Sequence, residues 1–320
     1  MKKLILIFAG LFLSTVLKSQ DLQNVNFSES ELILKTTTGN IYGTLSIAET
    51  PEPSPIILII AGSGPTDRDC NSALGLKTNA FKMMAEGFAV NGISTLRFDK
   101  RGIAESNAAM KSEAELRFDD YIKDVVDWVA LLKADPRFSR IIILGHSEGS
   151  LIGMIAAEQT KIDGYISISG AGRAIDEVLK EQLVSKLPPQ LMEESNRILD
   201  TLKMGKLASQ VSPYLVSLYR PSVQPYMISW IKYDPAKEIK NLKTPTLIIQ
   251  GNTDLQVSEK DAKLLAAAKP NAKLLIIENM NHVLKESEAD PQKNMATYNN
   301  PELPLKAGLV DEIVKFINNK

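Results

Sequence analysis

One serine and two histidines stand out as candidates for chemistry in this chain of 320 residues. Ser147 is the centre of residues 145–149, which spell G-H-S-E-G, a G-x-S-x-G pattern. A serine hydroxyl becomes a good nucleophile only when a base takes its proton, and histidine is the usual base. His146 adjoins the serine, and its side chain is expected to point away from the hydroxyl. The sequence therefore predicts Ser147 as a nucleophile and His282 as its general base.

A catalytic histidine also needs an acid that fixes its tautomer and stabilises the imidazolium. Asp254 is predicted for this role, because it directly follows an apolar strand and lies between the serine and the histidine in the chain. Glu278, close to His282 in sequence, is the alternative. A helix N-cap is the interpretation of Asp254 that needs no chemistry. Glu259 and Asp261 are typical of the solvated first turn of a helix.

Acyl transfer requires backbone N–H groups that stabilise an oxyanion. One should belong to Glu148, directly after the nucleophile. The other should belong to Ser63, in the A-G-S-G run of residues 61–64, whose glycines let a substrate approach the backbone. The side chain of Glu148 has two further interpretations. It is either a carboxylate that binds the free amino terminus of a peptide substrate, or one favoured there by the helix dipole alone.

The elements around Ser147 are predicted to be a strand, a tight turn and a helix. Residues 141–144 are consecutive apolar residues, typical of a strand buried on both faces, and residues 151–157 indicate a buried helix. Side chains at Gly145 and Gly149 would collide with the neighbouring strand and helix. The turn should therefore hold the serine at the helix N-terminus in a strained backbone conformation.

Apolar strands alternate with helices along most of the chain, after a hairpin at residues 31–48 whose turn is predicted at Gly39-Asn40. The other predicted strands are residues 56–61, 93–98, 164–169, 245–251 and 272–277. This alternation predicts an α/β fold with a mostly parallel central sheet flanked by helices. In such sheets ligands bind at the carboxyl ends of the strands, where the polar turns of this chain lie.

Residues 173–240 interrupt the alternation and are predicted to be a helical cap inserted after the fifth central strand. The core would then comprise residues 21–172 and 241–320. The apolar residues of the cap either line a hydrophobic pocket or, as we expect for most of them, pack the cap onto the sheet. They are Leu183, Leu187, Leu191, Met192, Leu199, Tyr214, Leu218, Tyr219, Tyr226, Met227 and Trp230.

The N-terminus has the pattern of an export signal. Lys2 and Lys3 precede a short apolar run at residues 4–13. Residues 1–20 are therefore predicted to be a secretory signal peptide, and the mature protein to be periplasmic or secreted. An uncleaved N-terminal anchor is the alternative. Cys70 is the only cysteine, so an internal disulfide is ruled out.

Composition and spacing exclude several other classes of protein. The chain has 37 basic and 38 acidic residues and no basic run, so nucleic acid is not an expected partner. The G-x-G runs at residues 62–64 and 170–172 lack the third glycine of a dinucleotide fingerprint. Two histidines and one cysteine do not form a zinc ligand set.

Four stretches resemble the α/β-hydrolase superfamily, and most closely bacterial carboxylesterases of the serine aminopeptidase (S33)-like subgroup. They are residues 61–69, residues 98–102, the turn at 145–149, and residues 251–254 together with His282. The resemblance covers essentially the whole mature chain. It implies hydrolysis of small acyl esters, with no metal or organic cofactor. The chain departs from the pattern at Cys70 and Ala104, where such proteins often carry glycine.

The sequence leaves more than one function open. A carboxylesterase that forms an acyl-enzyme on Ser147 is the interpretation we adopt. An aminopeptidase or amidase could use the same three residues. A ligand-binding protein on an inactive hydrolase scaffold is a further alternative, although binding alone does not require serine, aspartate and histidine at these places.

Overall fold

The computed structural model describes residues 27–319. The predicted signal peptide, residues 1–20, lies outside these described residues. Within residues 27–319, no helix is both long and apolar enough to cross a lipid bilayer.

Eight strands between residues 27 and 277 form one sheet. The strands are β1 (Phe27–Thr36), β2 (Gly39–Ala48), β3 (Ser54–Ile60), β4 (Ser94–Phe98), β5 (Phe138–His146), β6 (Gly164–Ile168), β7 (Thr246–Gly251) and β8 (Lys273–Ile277). Their order in the sheet is β1-β2-β4-β3-β5-β6-β7-β8. The two pairings that involve β2 are antiparallel, and every other pairing is parallel, as the alternating sequence pattern predicts.

Helices cover both faces of this sheet. In chain order they are α1 (Ala80–Ala89), α2 (Phe118–Lys133), α3 (Glu148–Gln159), α4 (Ile175–Val184), α5 (Pro189–Lys203), α6 (Val216–Tyr219), α7 (Gln224–Ile231), α8 (Pro235–Asn241), α9 (Glu259–Ala268), α10 (Pro291–Ala296) and α11 (Leu309–Asn318).

Strand β3 shows why both faces are buried. Ile56, Leu58 and Ile60 belong to one apolar core, which they share with residues of α2 and α3. Ile57 and Ile59 belong to a second core, which they share with residues of α1 and α11. Successive side chains of a strand point to opposite faces, so an unbroken apolar run requires packing on both.

Helices α4 to α8 lie between β6 and β7, in the segment predicted to be a cap. Of these, α7 packs against α2 through aromatic side chains: the ring of Trp230 stacks on that of Phe118, with centroids 5.6 Å apart. The hydroxyl of Ser229 also accepts a hydrogen bond from the N–H of Phe118. The division of the chain into a core and a separate cap stays a prediction, and we refer to residues 175–241 as the inserted helices.

The hairpin turn differs from its prediction. It consists of Thr37 and Thr38, and Gly39 pairs with Thr36 as the first residue of β2. The glycine has a different role, because a Cβ atom there would lie 2.8 Å from the Cα atom of Ala109. Close packing against Ala109 and a backbone φ of 150°, which residues with a side chain rarely adopt, both favour glycine here.

Both departures from the glycine pattern retain the backbone shape that glycine favours. Cys70 has a φ of 71° and Ala104 a φ of 42°. For residues other than glycine this left-handed region costs about 1–2 kcal/mol. Cys70 is buried and Ala104 is exposed, so burial of the side chain can offset this strain at Cys70 but not at Ala104.

Candidate active site

Ser147 occupies the turn between β5 and α3 and has φ 54° and ψ −120°, the strained conformation that the G-x-S-x-G pattern predicts. A Cβ atom on Gly145 would lie 2.2 Å from the carbonyl oxygen of Gly149. One on Gly149 would lie 2.3 Å from the carbonyl oxygen of Ile60, at the end of β3. Only glycine fits these two positions, and the serine is thereby held at the N-terminus of α3.

The turns after β7 and β8 bring Asp254 and His282 together. The Nδ1 atom of His282 lies 2.8 Å from an Oδ atom of Asp254, and both side chains are buried. A Cβ atom on Gly251 would lie 1.9 Å from the carbonyl oxygen of Met280, which shows how closely the two turns pack. Glu278 is exposed. Of the two candidate carboxylates, the structure places Asp254 on the histidine.

The surroundings of Asp254 favour its charged form. Burial by itself raises the pKa of this carboxyl, but the charge and hydrogen bond of His282, together with hydrogen bonds from two backbone N–H groups, bring it below its ordinary value. The N–H groups of Gln256 and Val257 add two hydrogen bonds to the other carboxylate oxygen, at 2.8 and 2.9 Å. A charged Asp254 accepts from Nδ1 of His282, which leaves Nε2 unprotonated and able to act as a base.

His282 lies beside the turn that carries Ser147. Its ring centroid is 4.8 Å from that of His146, the residue before the serine. Within residues 27–319 no direct hydrogen bond joins Ser147 to His282 in this structure. In unliganded hydrolases this bond is often long or poorly aligned, and it tightens when substrate binds.

The predicted oxyanion loop lies directly against the serine. A Cβ atom on Gly62 would be 3.0 Å from the Cβ atom of Ser147. Ser63 and Glu148 both line the pocket that contains the serine. Among the backbone hydrogen bonds of residues 27–319, none uses the N–H of Ser63 or of Glu148. Both N–H groups are therefore free to receive an oxyanion.

A cavity of about 160 Å³ opens at Ser147 between the sheet edge and the inserted helices. Most of its wall is apolar, and its polar side chains besides the serines are those of Glu148, Arg173, Gln182 and Gln256. The apolar wall consists of Leu151, Ala171, Ile175, Val178, Leu179, Leu218, Tyr219, Met227, Trp230, Pro235 and Val257. This composition suits a ligand with an apolar group next to the reacting carbonyl.

The two charged side chains of the cavity wall are both paired inside the protein. Glu148 accepts hydrogen bonds from Nζ of Lys100, at 2.6 Å, and from the hydroxyl of Tyr226. Arg173 donates to both carboxylate oxygens of Asp261, at 2.9 and 2.7 Å, and also to Glu181. The expectation that Asp261 is solvated is wrong: its side chain is fully buried against Arg173.

Sequence reasoning found part of this wall. Of the apolar cap residues named above, Leu218, Tyr219, Met227 and Trp230 line the cavity, whereas Tyr214 is largely exposed. Arg173, Gln182 and Gln256 of the wall were missed, as was Lys100, which pairs with Glu148, because charged and amide side chains are usually solvated. The position of Lys100 in the polar turn after β4, at the carboxyl edge of the sheet, is the signal that could have indicated it.

Comparison with known families matches residues 74–236 to the family described as serine aminopeptidase, S33. The matched region contains Ser147 and ends before Asp254. A curated relative, esterase EstD of Thermotoga maritima, is 30% identical over 287 residues, which cover 88% of this chain and 67% of the relative.

Solved structures show the same architecture at lower identity. Est1E from Butyrivibrio proteoclasticus has a TM-score of 0.58 at 16% identity and covers 90% of this chain and 98% of its own. The Pyrococcus furiosus esterase Pf2001 has a TM-score of 0.55 at 15% identity, over 92% of this chain and 93% of its own. At such identities the likeness concerns the fold alone, and it confirms the fold class predicted from the sequence.

Proposed function

Because the chain belongs to the serine aminopeptidase (S33) family of α/β-hydrolases, we propose that it hydrolyses carboxylic esters of small acyl substrates through an acyl-enzyme on Ser147. It is a carboxylesterase-type serine hydrolase, as the esterase named among its relatives supports.

We favour an ester over a peptide with a free amino terminus because the charged side chains of the cavity wall are already paired within the protein. An aminopeptidase must neutralise the free ammonium group of its substrate, and Glu148 is the carboxylate of the wall. Its side chain is only 2% exposed and already balances Lys100. Burying an ammonium group without a partner carries a large desolvation penalty. A neutral ester with an apolar acyl group meets no such penalty.

The reaction proceeds in two halves. Ser147 Oγ attacks the ester carbonyl while Nε2 of His282 takes its proton, and the carboxylate of Asp254 stabilises the imidazolium. The oxyanion accepts hydrogen bonds from the N–H groups of Ser63 and Glu148. His282 then protonates the departing alcohol. A water molecule, deprotonated by the same histidine, attacks the acyl-enzyme, and the carboxylic acid leaves as Ser147 recovers its proton.

The test compares esters with amides on one preparation. The protein should hydrolyse p-nitrophenyl acetate and should be labelled on Ser147 by a fluorophosphonate. Ser147→Ala should lose both activities, with turnover lowered by several orders of magnitude. Amino-acid p-nitroanilides should be cleaved at least a hundredfold more slowly than the matching esters. Faster anilide cleavage would establish the aminopeptidase alternative, and absence of labelling would establish a binding protein.

The proposed location of the enzyme is the periplasm or the exterior of the cell. Its support is the pattern of residues 1–20, a basic start followed by a short apolar run. Expression of the full chain in a bacterial host, followed by fractionation, should recover the protein outside the cytoplasm. Its mass should correspond to a chain that begins near residue 21. Recovery of the uncleaved chain in the membrane fraction would instead establish an N-terminal anchor.

A further inference from the structure

A buried lysine is bonded both to the loop and to the helix start that carry the proposed oxyanion donors. Lys100 follows β4, and its side chain is 2% exposed. Its Nζ atom donates to the carbonyl oxygen of Gly62 at 2.7 Å and to a carboxylate oxygen of Glu148 at 2.6 Å. The ammonium group also lies 4.7 Å from the ring centroid of Tyr121, within the range of a cation–π contact.

The bond to Gly62 fixes the direction of an N–H group. The carbonyl of Gly62 and the N–H of Ser63 belong to the same peptide unit, which is trans and planar. Its C=O and N–H bonds point in opposite directions. A cation that holds the carbonyl on one side therefore directs the N–H of Ser63 toward the other side, where Ser63 lines the cavity. A charge-assisted bond at the carbonyl also polarises the peptide and strengthens its N–H as a donor.

The bond to Glu148 ties the second donor to the same cation. Glu148 is the first residue of α3, and its own N–H is the other proposed donor. Its carboxylate accepts a further hydrogen bond from the hydroxyl of Tyr226, on α7. Burial first, and the charge of Glu148 second, raise the pKa of Tyr226 well above its ordinary value, so this hydroxyl stays a donor. One ammonium group thus links the loop after β3, the start of α3 and an inserted helix.

We propose that Lys100 is a positioning residue of the oxyanion hole, which aligns the N–H groups of Ser63 and Glu148 through its bonds to the Gly62 carbonyl and the Glu148 carboxylate. This inference rests on the proposed function, because it assigns a role within that reaction. A buried ion pair is weak evidence for stability, since apolar residues of similar volume often replace one without loss. Lys100 also donates to the Gly62 carbonyl, and neither packing nor charge pairing requires this bond. The bond therefore supports a role in positioning the N–H of Ser63.

The test removes both charges together, so that neither is left buried and unpaired. Lys100→Met/Glu148→Gln keeps the side-chain volumes and leaves an acceptor for Tyr226. We expect kcat for p-nitrophenyl acetate to fall ten- to a hundredfold, with KM changed less than threefold. The inhibition constant of a trifluoromethyl ketone, which forms a tetrahedral oxyanion on the serine, should rise by the same factor. A merely structural pair would lower the melting temperature and leave this inhibition constant unchanged.

A matched control removes another buried ion pair that starts from the same turn. Arg101 is bonded to Asp124, and neither side chain is hydrogen-bonded to Gly62 or Glu148 among the described residues. Arg101→Met/Asp124→Asn should leave kcat and the inhibition constant within threefold of the parent. A second variant, Lys100→Gln/Glu148→Gln, retains a neutral donor one bond shorter and should fall between the parent and the Met variant. If the Met variant does not fold cooperatively, this second variant is compared with the parent in its place.

The possible outcomes separate the two proposals. A parent protein that hydrolyses esters, with a Lys100 double variant that keeps both kcat and the inhibition constant within threefold, overturns the positioning role alone. Equal losses in the control variant overturn it as well. A parent protein that neither hydrolyses esters nor reacts with a fluorophosphonate at Ser147 overturns the proposed function, and the positioning role with it.

Discussion

The ring of His146 donates a hydrogen bond from Nε2 to the backbone carbonyl oxygen of His282, at 2.8 Å. A carbonyl oxygen only accepts, so Nε2 of His146 carries a proton. The ring also packs against the edge of Phe81, with centroids 5.5 Å apart. The histidine within the serine turn therefore supports the loop that carries the proposed base.

Removing this hydrogen bond should misplace the base without removing it. His146→Phe keeps an aromatic ring but loses the donor, and we expect kcat to fall ten- to a hundredfold, because small misplacements of reacting groups are costly. His146→Gln is the matched control, since its amide nitrogen can donate from nearly the same position. It should remain within about tenfold of the parent. Steady-state ester hydrolysis measures both, and equal losses in the two variants would exclude the hydrogen bond as the cause.

The same residue should make stability depend on pH. Burial, and next the charge of His282, lower the pKa of His146 from 6.5 to about 3 in the folded protein. Below pH 6.5 the unfolded chain takes up a proton at this ring and the native protein does not. The free energy of unfolding should therefore decrease as pH falls, by about 1.4 kcal/mol per pH unit from this group. Full stability is present above pH 6.5.

Urea unfolding of the parent and of His146→Phe at pH 7 and pH 5 measures this contribution. The parent should lose about 2 kcal/mol more than the variant between these two pH values. Asp254 does not confuse the comparison, because its lowered pKa places its titration in a more acidic range. A parent and a variant with the same pH dependence would show that His146 is protonated in the native state.

The sequence predicted the parts of this molecule that depend on local pattern. The strand before Ser147 and the glycines around it follow from apolar runs and steric limits, and both are present. The pairing of Asp254 with His282 could be predicted because the strand ends of a parallel sheet meet at one edge. The hydrogen bonds of Lys100 and the burial of Asp261 could not be predicted, because each depends on a partner far away in the chain. Charged residues at turns and helix starts are usually solvated, and only tertiary contacts reverse that expectation.

Replacement of Asp254 should separate it from the alternative carboxylate. Asp254→Asn keeps the size of the side chain but no longer favours the tautomer that leaves Nε2 of His282 free. We expect kcat to fall about 10⁴-fold, as such changes do in other serine hydrolases. Glu278→Gln is the control, since Glu278 is exposed and should change kcat less than twofold. A reversed result would assign the role to Glu278.

The two residues with positive φ should respond differently to glycine. Ala104→Gly relieves the left-handed strain of an exposed residue, which exceeds the extra entropy that glycine gives the unfolded chain. We expect it to raise the free energy of unfolding by about 0.5–1 kcal/mol. Cys70→Gly relieves similar strain but removes a thiol that is 2% exposed, so it should give no gain. Urea unfolding distinguishes the two, and destabilisation by Ala104→Gly would contradict the strain argument.

The inserted helices should set the length of the acyl group. Leu218 is half-buried and lines the cavity at Ser147, so Leu218→Trp should fill part of its apolar space. Each methylene group of the substrate's acyl chain that no longer fits in the cavity loses about 0.8 kcal/mol of favourable transfer free energy. The value of kcat/KM should fall ten- to a hundredfold for p-nitrophenyl octanoate and less than threefold for the acetate. Leu207→Trp is the control, because Leu207 is 61% exposed and lies outside this cavity. Equal effects on both esters in Leu218→Trp would show that the acyl chain lies elsewhere.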